Sequence, residues 1–170
     1  MTRLVYALCL ALVFTGCDWL GYTAYVGTWE LSYQDVDSMG DPIDVTETLQ
    51  LSADSFTLRT TTLDMLSTET WNAARGDLTV VGNTFYFTTR EVGFDLATVN
   101  NFVTVLGLEG KSFDLPIQEW YDVNAFLAEM SKGTVLVFPS DVFELGNPTF
   151  TVSGDTLTIA GKFDATYEKQ

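Results

Sequence analysis

Two stretches of alternating residues limit this chain more than any other feature. Leu78-Thr79-Val80-Val81-Gly82-Asn83-Thr84-Phe85-Tyr86-Phe87 and, 72 residues on, Phe150-Thr151-Val152-Ser153-Gly154-Asp155-Thr156-Leu157-Thr158-Ile159 share one design. In each, runs with an apolar residue at every second position flank a pair that begins with glycine. A period of two puts Leu78, Val80, Phe85 and Phe87 on one face of a strand pair, and Phe150, Val152, Leu157 and Ile159 on one face of another. A helix, with its period of 3.6, cannot bury such a set on one side. Glycine at the first central position suits a type II′ hairpin turn. Two copies are too few for a solenoid or propeller, so the likeness is hairpin grammar.

The same alternation continues elsewhere. Val26 to Tyr33 carries Trp29, Leu31 and Tyr33 at period two, and Val45 to Leu51 pairs with Phe56 to Thr62 around Ser52-Ala53-Asp54-Ser55. Thr68 to Ala73, Thr134 to Phe138 before Pro139, and Ala165 to Glu168 complete the series. About eight to ten short antiparallel strands dispose of their edges by closing into a barrel. The fold class expected is all-β, mainly antiparallel: an up-and-down β-barrel with one inserted α-helix near residues 116–131.

That helix rests on Pro116 at a first helical position after Asp114, followed by Ile117, Trp120, Tyr121, Asn124, Leu127 and Met130 at steps of three and four. Its apolar stripe either packs on the sheet or plugs a barrel end, or it forms a lid in which Trp120, Tyr121 and Leu127 face a ligand cavity. Upstream, Phe94 to Phe113 is apolar but irregular; so long a connection is functional or holds a further element.

Residues 1–16 belong to targeting rather than to the fold. Arg3 precedes the apolar run Leu4 to Phe14, which is too short for the roughly 20 residues a membrane span needs, and Thr15-Gly16 leads into Cys17. The segment resembles the signal of bacterial lipoproteins, whose box ends in a small residue before the cysteine that is lipidated; Phe14 stands where that box usually has Leu. The resemblance implies cleavage before Cys17, acylation of its thiol, a tether over residues 17–25 and a barrel domain over 26–170. Two or three acyl chains make a stable anchor, each buried methylene contributing about 0.8 kcal/mol. The expected location is the bacterial cell envelope, on a membrane facing periplasm or cell exterior. Asp18 resembles an inner-membrane retention signal of enteric-type systems.

Charge narrows the partners. The chain carries 8 Lys+Arg against 23 Asp+Glu, a net of −15, so it repels phosphate backbones and nucleic acid is excluded as an expected partner. Anionic headgroups repel it as well, which favours a body held off the bilayer by its tether. There is no His, and the two thiols are Cys9 and Cys17. The usual general base and imidazole metal ligand are therefore missing, and no Ser-x-x-Lys motif supplies a substitute.

The opening Gly27-Thr28-Trp29-Glu30-Leu31, the pair Leu49-Gln50-Leu51-Ser52 with Phe56-Thr57-Leu58, Arg75-Gly76-Asp77-Leu78 ahead of Gly82-Asn83-Thr84, and Gly154-Asp155-Thr156-Leu157 with Thr166-Tyr167-Glu168 resemble bacterial lipocalin-like lipoprotein domains. The resemblance implies that Gly27 and Trp29 open the first strand, with the indole closing the barrel floor and a basic residue near the last strand, Lys162, covering it. The helix departs from the family pattern by falling between strands instead of after the barrel.

No enzyme, cofactor or metal is expected. Asp35, Asp37, Asp41 and Asp44 alternate as calcium ligands do, but Met39 and Thr46 stand at the fifth and twelfth loop positions, so the EF-hand pattern fails. Among so many acids no spacing selects a glycosidase-like pair. Two functions remain: a barrel binding a small apolar or amphipathic ligand, or an envelope structural or protein-interaction module with a filled core. Phe and Trp read alike in either.

Overall fold

The computed structural model describes residues 23–37, 40–134, 145–161 and 164–170. Among the described residues nine strands and two helices follow one another: β1 (Gly27–Val36), β2 (Pro42–Leu51), β3 (Ser55–Leu63), β4 (Glu69–Val81), β5 (Thr84–Phe94), α1 (Leu96–Leu108), β6 (Trp120–Asp122), α2 (Val123–Met130), β7 (Thr149–Ser153), β8 (Thr156–Ala160) and β9 (Ala165–Lys169). Every pairing is antiparallel. The sheet runs β4-β3-β2-β1-β9-β8-β7-β5, and β5 pairs back to β4, closing a ring of eight strands with β6 added to β5. The fold is an all-β, up-and-down barrel.

The two glycine hairpins form as their residues dictate. Val81 faces Thr84 and Ser153 faces Thr156, each across a two-residue loop. Gly82 and Gly154 both take φ 62°, a conformation that costs glycine nothing. The expected segment ending at Ala73, from Glu69 on, and the run from Leu78 are parts of one strand, β4; opposite Arg75 and Gly76 the register shifts, with Arg90 as the extra residue on β5. The expected strand Thr134 to Phe138 lies outside the described residues from position 135 onward.

The helical region differs from the expected single helix over 116–131. Trp120, Tyr121 and Asp122 form β6, pairing with Gly93, Val92 and Glu91. The helix begins after them, because Asp122 caps it by accepting from the backbone N–H of Asn124 and Ala125. A second helix, α1, fills the irregular stretch after Phe94. Its cap is Asp95, whose carboxylate accepts from the N–H and Oγ1 of Thr98 at 2.8 and 2.7 Å and from the N–H of Trp71 at 3.2 Å. Burial works against that charge, but these bonds outweigh it and hold Asp95 below the usual carboxylate range.

Two hydrophobic cores result. The first fills the barrel around Trp29, Phe56, Leu78, Phe85 and Leu157. Tyr25 belongs to it: its ring lies edge-on to Phe85 and Phe150, so the packed domain starts inside the segment read as tether. The second core joins Val92 and Phe94 of β5 to Val99, Phe102 and Leu106 of α1 and to Tyr121, Phe126 and Met130. Phe94 stacks on Phe126 at 4.8 Å and meets Phe102 edge-on at 5.3 Å. Lys132 clasps this annex, with its Nζ 2.7 Å from Asp114 and 2.6 Å from the buried Glu129.

Candidate functional site

Pairing register stacks the inward-facing residues of the barrel in rows. Trp29, Leu49, Leu58 and Ala74 face one another across β1 to β4. One step toward the β1–β2 and β3–β4 hairpins, the corresponding residues are Leu31, Glu47, Thr60 and Asn72. Directly opposed residues share a face of the sheet, so an apolar row is succeeded by one in which three of four members are polar. Above the filled floor this arrangement leaves a cavity of about 730 Å³. Leu31, Leu49, Leu58, Phe87 and Ile159 supply apolar wall, and Glu47, Asn72 and Tyr167 supply polar groups.

Glu47 is the centre of the polar part. Tyr167 donates its hydroxyl to Oε2 at 2.8 Å, reaching from β9, while Tyr33 donates to Oε1 at 3.2 Å. Tyr167 is only 5% exposed. Its burial, then the negative charge of Glu47 and the bond to it, push its hydroxyl well above the usual tyrosine value, so it stays a donor. Tyr33 is raised by the same causes, burial first. Asp164, Thr166 and Thr60 add further polar atoms to the lining, and among the described lining residues there is neither Lys nor Arg.

The sequence-predicted residues fall in different places. Trp29 is completely buried in the barrel core, and its indole N–H donates to the carbonyl of Tyr25 at 2.7 Å. Gly27 precedes it with φ 150°, a value that L side chains adopt rarely, and its Cα faces Lys169 and not open space. The basic group over the Trp29 ring is the Nζ of Lys169, 5.5 Å from the ring centroid; Lys162 lies outside the described residues. Cys17 and residues 1–16 also lie outside them.

Trp120, Tyr121 and Leu127 do not line the cavity. Tyr121 is buried in the second core with Leu127 packed against it. Trp120 turns away to sit beneath the Arg75 guanidinium at 4.1 Å and beside Trp71 at 6.1 Å. Pairing of β6 with β5 is the reason, since it fixes alternate side chains on opposite faces instead of along one helical stripe.

Glu47, Tyr33 and Tyr167 are the site residues that sequence reasoning passed over. The signal was present: in Val45-Thr46-Glu47-Thr48-Leu49-Gln50-Leu51 a carboxylate occupies the apolar phase of the alternation. The acidic turn Asp35 to Asp44 is consumed locally instead. Asp35 accepts from the Val36 N–H, Asp37 from the Asp41 N–H, and Asp44 from the Gln34 side chain. Among the described residues no group of three or more Asp, Glu, Cys or His is placed to hold a metal, and no helix is long and apolar enough to cross a membrane. Comparison of the chain with protein-family models, curated proteins and solved structures finds no match.

Proposed function

We propose that this protein is a lipid-anchored, non-enzymatic component of the bacterial cell envelope whose barrel binds one small apolar or amphipathic molecule. The cavity carries the reading: its volume of about 730 Å³ lies within the roughly 300–1,000 Å³ typical of small-molecule sites, and its wall is mainly apolar with a few convergent polar groups. An eight-stranded barrel is wide enough for one such ligand. The anchoring half of the proposal rests on Thr15-Gly16-Cys17 and on the lipocalin-like resemblance of Gly27-Thr28-Trp29 and the later strand motifs.

The test of binding uses the mature chain in lipid nanodiscs, titrated calorimetrically with octanol and with empty nanodiscs as blank. Saturable heat above the blank is expected, and it should vanish in Leu58→Trp, which fills the cavity, at an unchanged melting midpoint. No heat beyond the blank would shift the reading to a filled module acting through its surface. Anchoring is tested by labelled palmitate, which wild type should incorporate and Cys17→Ser should not; labelling that persists in the variant would overturn it.

A further inference from the structure

We infer that the cavity selects an amphiphile with a cationic, amine-type headgroup, which Glu47 receives. The inference deepens the proposed ligand-binding reading and rests on it. The cavity has a definite polarity. Its lower wall, at the level of Leu49, Leu58 and Ala74, offers only apolar groups to a ligand, which suits a hydrocarbon tail. The next row holds Glu47, Thr60 and Asn72 side by side across β2, β3 and β4. A ligand with its tail on the floor therefore brings its headgroup to a carboxylate flanked by a hydroxyl and an amide.

Among the described residues the charge at that level is negative and no cation answers it. Each described ion pair of the molecule lies elsewhere: Arg75–Glu91, Arg90–Asp77, and Lys132 with Asp114 and Glu129. Among the described residues Glu47 has two tyrosine hydroxyls as partners, one on each oxygen. A carboxylate has about four acceptor positions, so it can take two further donors. Glu47 is half-buried and opens on the cavity, and an ammonium, with three donors and a positive charge, fits its remaining acceptor positions.

The same geometry discriminates against the opposite headgroup. A ligand carboxylate or phosphate would stand against Glu47, with Asp164 also in the lining, and like charges at such a site are strongly unfavourable. Long-range attraction works in the same direction, since the net charge of −15 concentrates cations near the molecule. Tyr167 sharpens the choice because, kept protonated by burial and by Glu47, it donates a hydrogen bond to Oε2 and holds the carboxylate in place.

Octylammonium, octanol and octanoate share a tail and differ in headgroup. Titrated into the mature chain in nanodiscs at neutral pH, with empty nanodiscs as blank, octylammonium should bind at least about tenfold more tightly than octanol, the worth of one charged hydrogen bond. Octanoate should bind most weakly. Glu47→Gln should reduce octylammonium affinity to that of octanol while octanol binding is retained. Glu69→Gln, which removes an exposed charge on β4, should leave the order unchanged and so separates the site from the overall field. If octanoate binds as well as octylammonium, or if Glu47→Gln preserves the preference, the headgroup assignment is overturned while the cavity stands. If none of the three binds, the ligand-binding reading falls, and this inference with it.

Discussion

The two halves of the barrel interior are built from the same strands and do opposite things. Below, Trp29, Tyr25, Phe85 and Leu157 are essentially inaccessible to solvent, and Phe85 stacks on Phe150 with ring centroids 4.0 Å apart. Above, the same strands contribute Tyr33, Glu47, Thr60 and Asn72 around open volume. A barrel needs only one packed half to hold its strands in register. Once the floor is filled with aromatics, the residues above are released from packing and become available for recognition.

The largest effect that could break this contrast is at the floor. Trp29→Ala should cost about 3–5 kcal/mol, as truncation of a fully buried large ring does. A domain of this size holds about 5–15 kcal/mol in all, so the variant should unfold or show a much lower denaturation midpoint. A loss within about 0.5 kcal/mol, the range for exposed sites, would mean that the indole is not part of a packed floor.

Leu58→Ala probes the boundary where the Trp29 row meets the open cavity. Its side chain is only half buried beside an existing cavity, so the variant forfeits part of a transfer term of about 0.8 kcal/mol per methylene and creates no new enclosed void; a loss of about 1 kcal/mol is expected. Chemical denaturation beside Trp29→Ala gives the ratio of the two. Equal losses would show the two halves packed alike.

Smaller still, Glu47→Gln should change stability by less than about 1 kcal/mol, since the amide oxygen can still accept from Tyr167. A severe loss would make Glu47 a structural keystone instead of a headgroup acceptor.

The subtlest effect is a pH dependence at Tyr167, whose contribution is complete at neutral pH and is lost in alkali. Its folded pKa is raised above the usual value of about 10, so the protonated form is preferred in the native state. That contribution is whole below about pH 10 and is lost as pH rises above it, because the unfolded chain releases the proton first. Wild type should therefore lose stability on the alkaline side, and Tyr167→Phe should flatten that limb. Identical alkaline limbs in the two proteins would show the hydroxyl to be freely titrating.

The cavity itself was readable only in part. The phase of Val45, Glu47, Leu49 and Leu51 marks a carboxylate on the inner face of β2, yet nothing local says that Tyr167, 120 residues away, will meet it at 2.8 Å. The stripe of Trp120, Tyr121 and Leu127, read either as packing on the sheet or as a lid, shows a different difficulty. Their spacing fits a helical stripe, but backbone hydrogen bonding of residues 120–122 to the outer edge of β5 claims them as strand, and helix starts only where Asp122 can cap it. Over three residues, periodicity cannot distinguish the two. The α1 helix was hidden because Leu96–Leu108 contains several β-branched residues and lacks a clean period; its burial against β5 outweighs that propensity.

The sequence by itself determined the strands of the ring, both glycine hairpins and the antiparallel meander, because alternation and turn chemistry act between neighbours along the chain. It also carried the strongly acidic character that sets the field. The tertiary structure alone decided that the ring closes through β5 and β7, that Lys169 is the cation over Trp29, that there are two cores, and that one half of the barrel stays open. These depend on which distant residues share a row, and rows are set by register summed around the whole barrel, a quantity no local stretch of sequence contains.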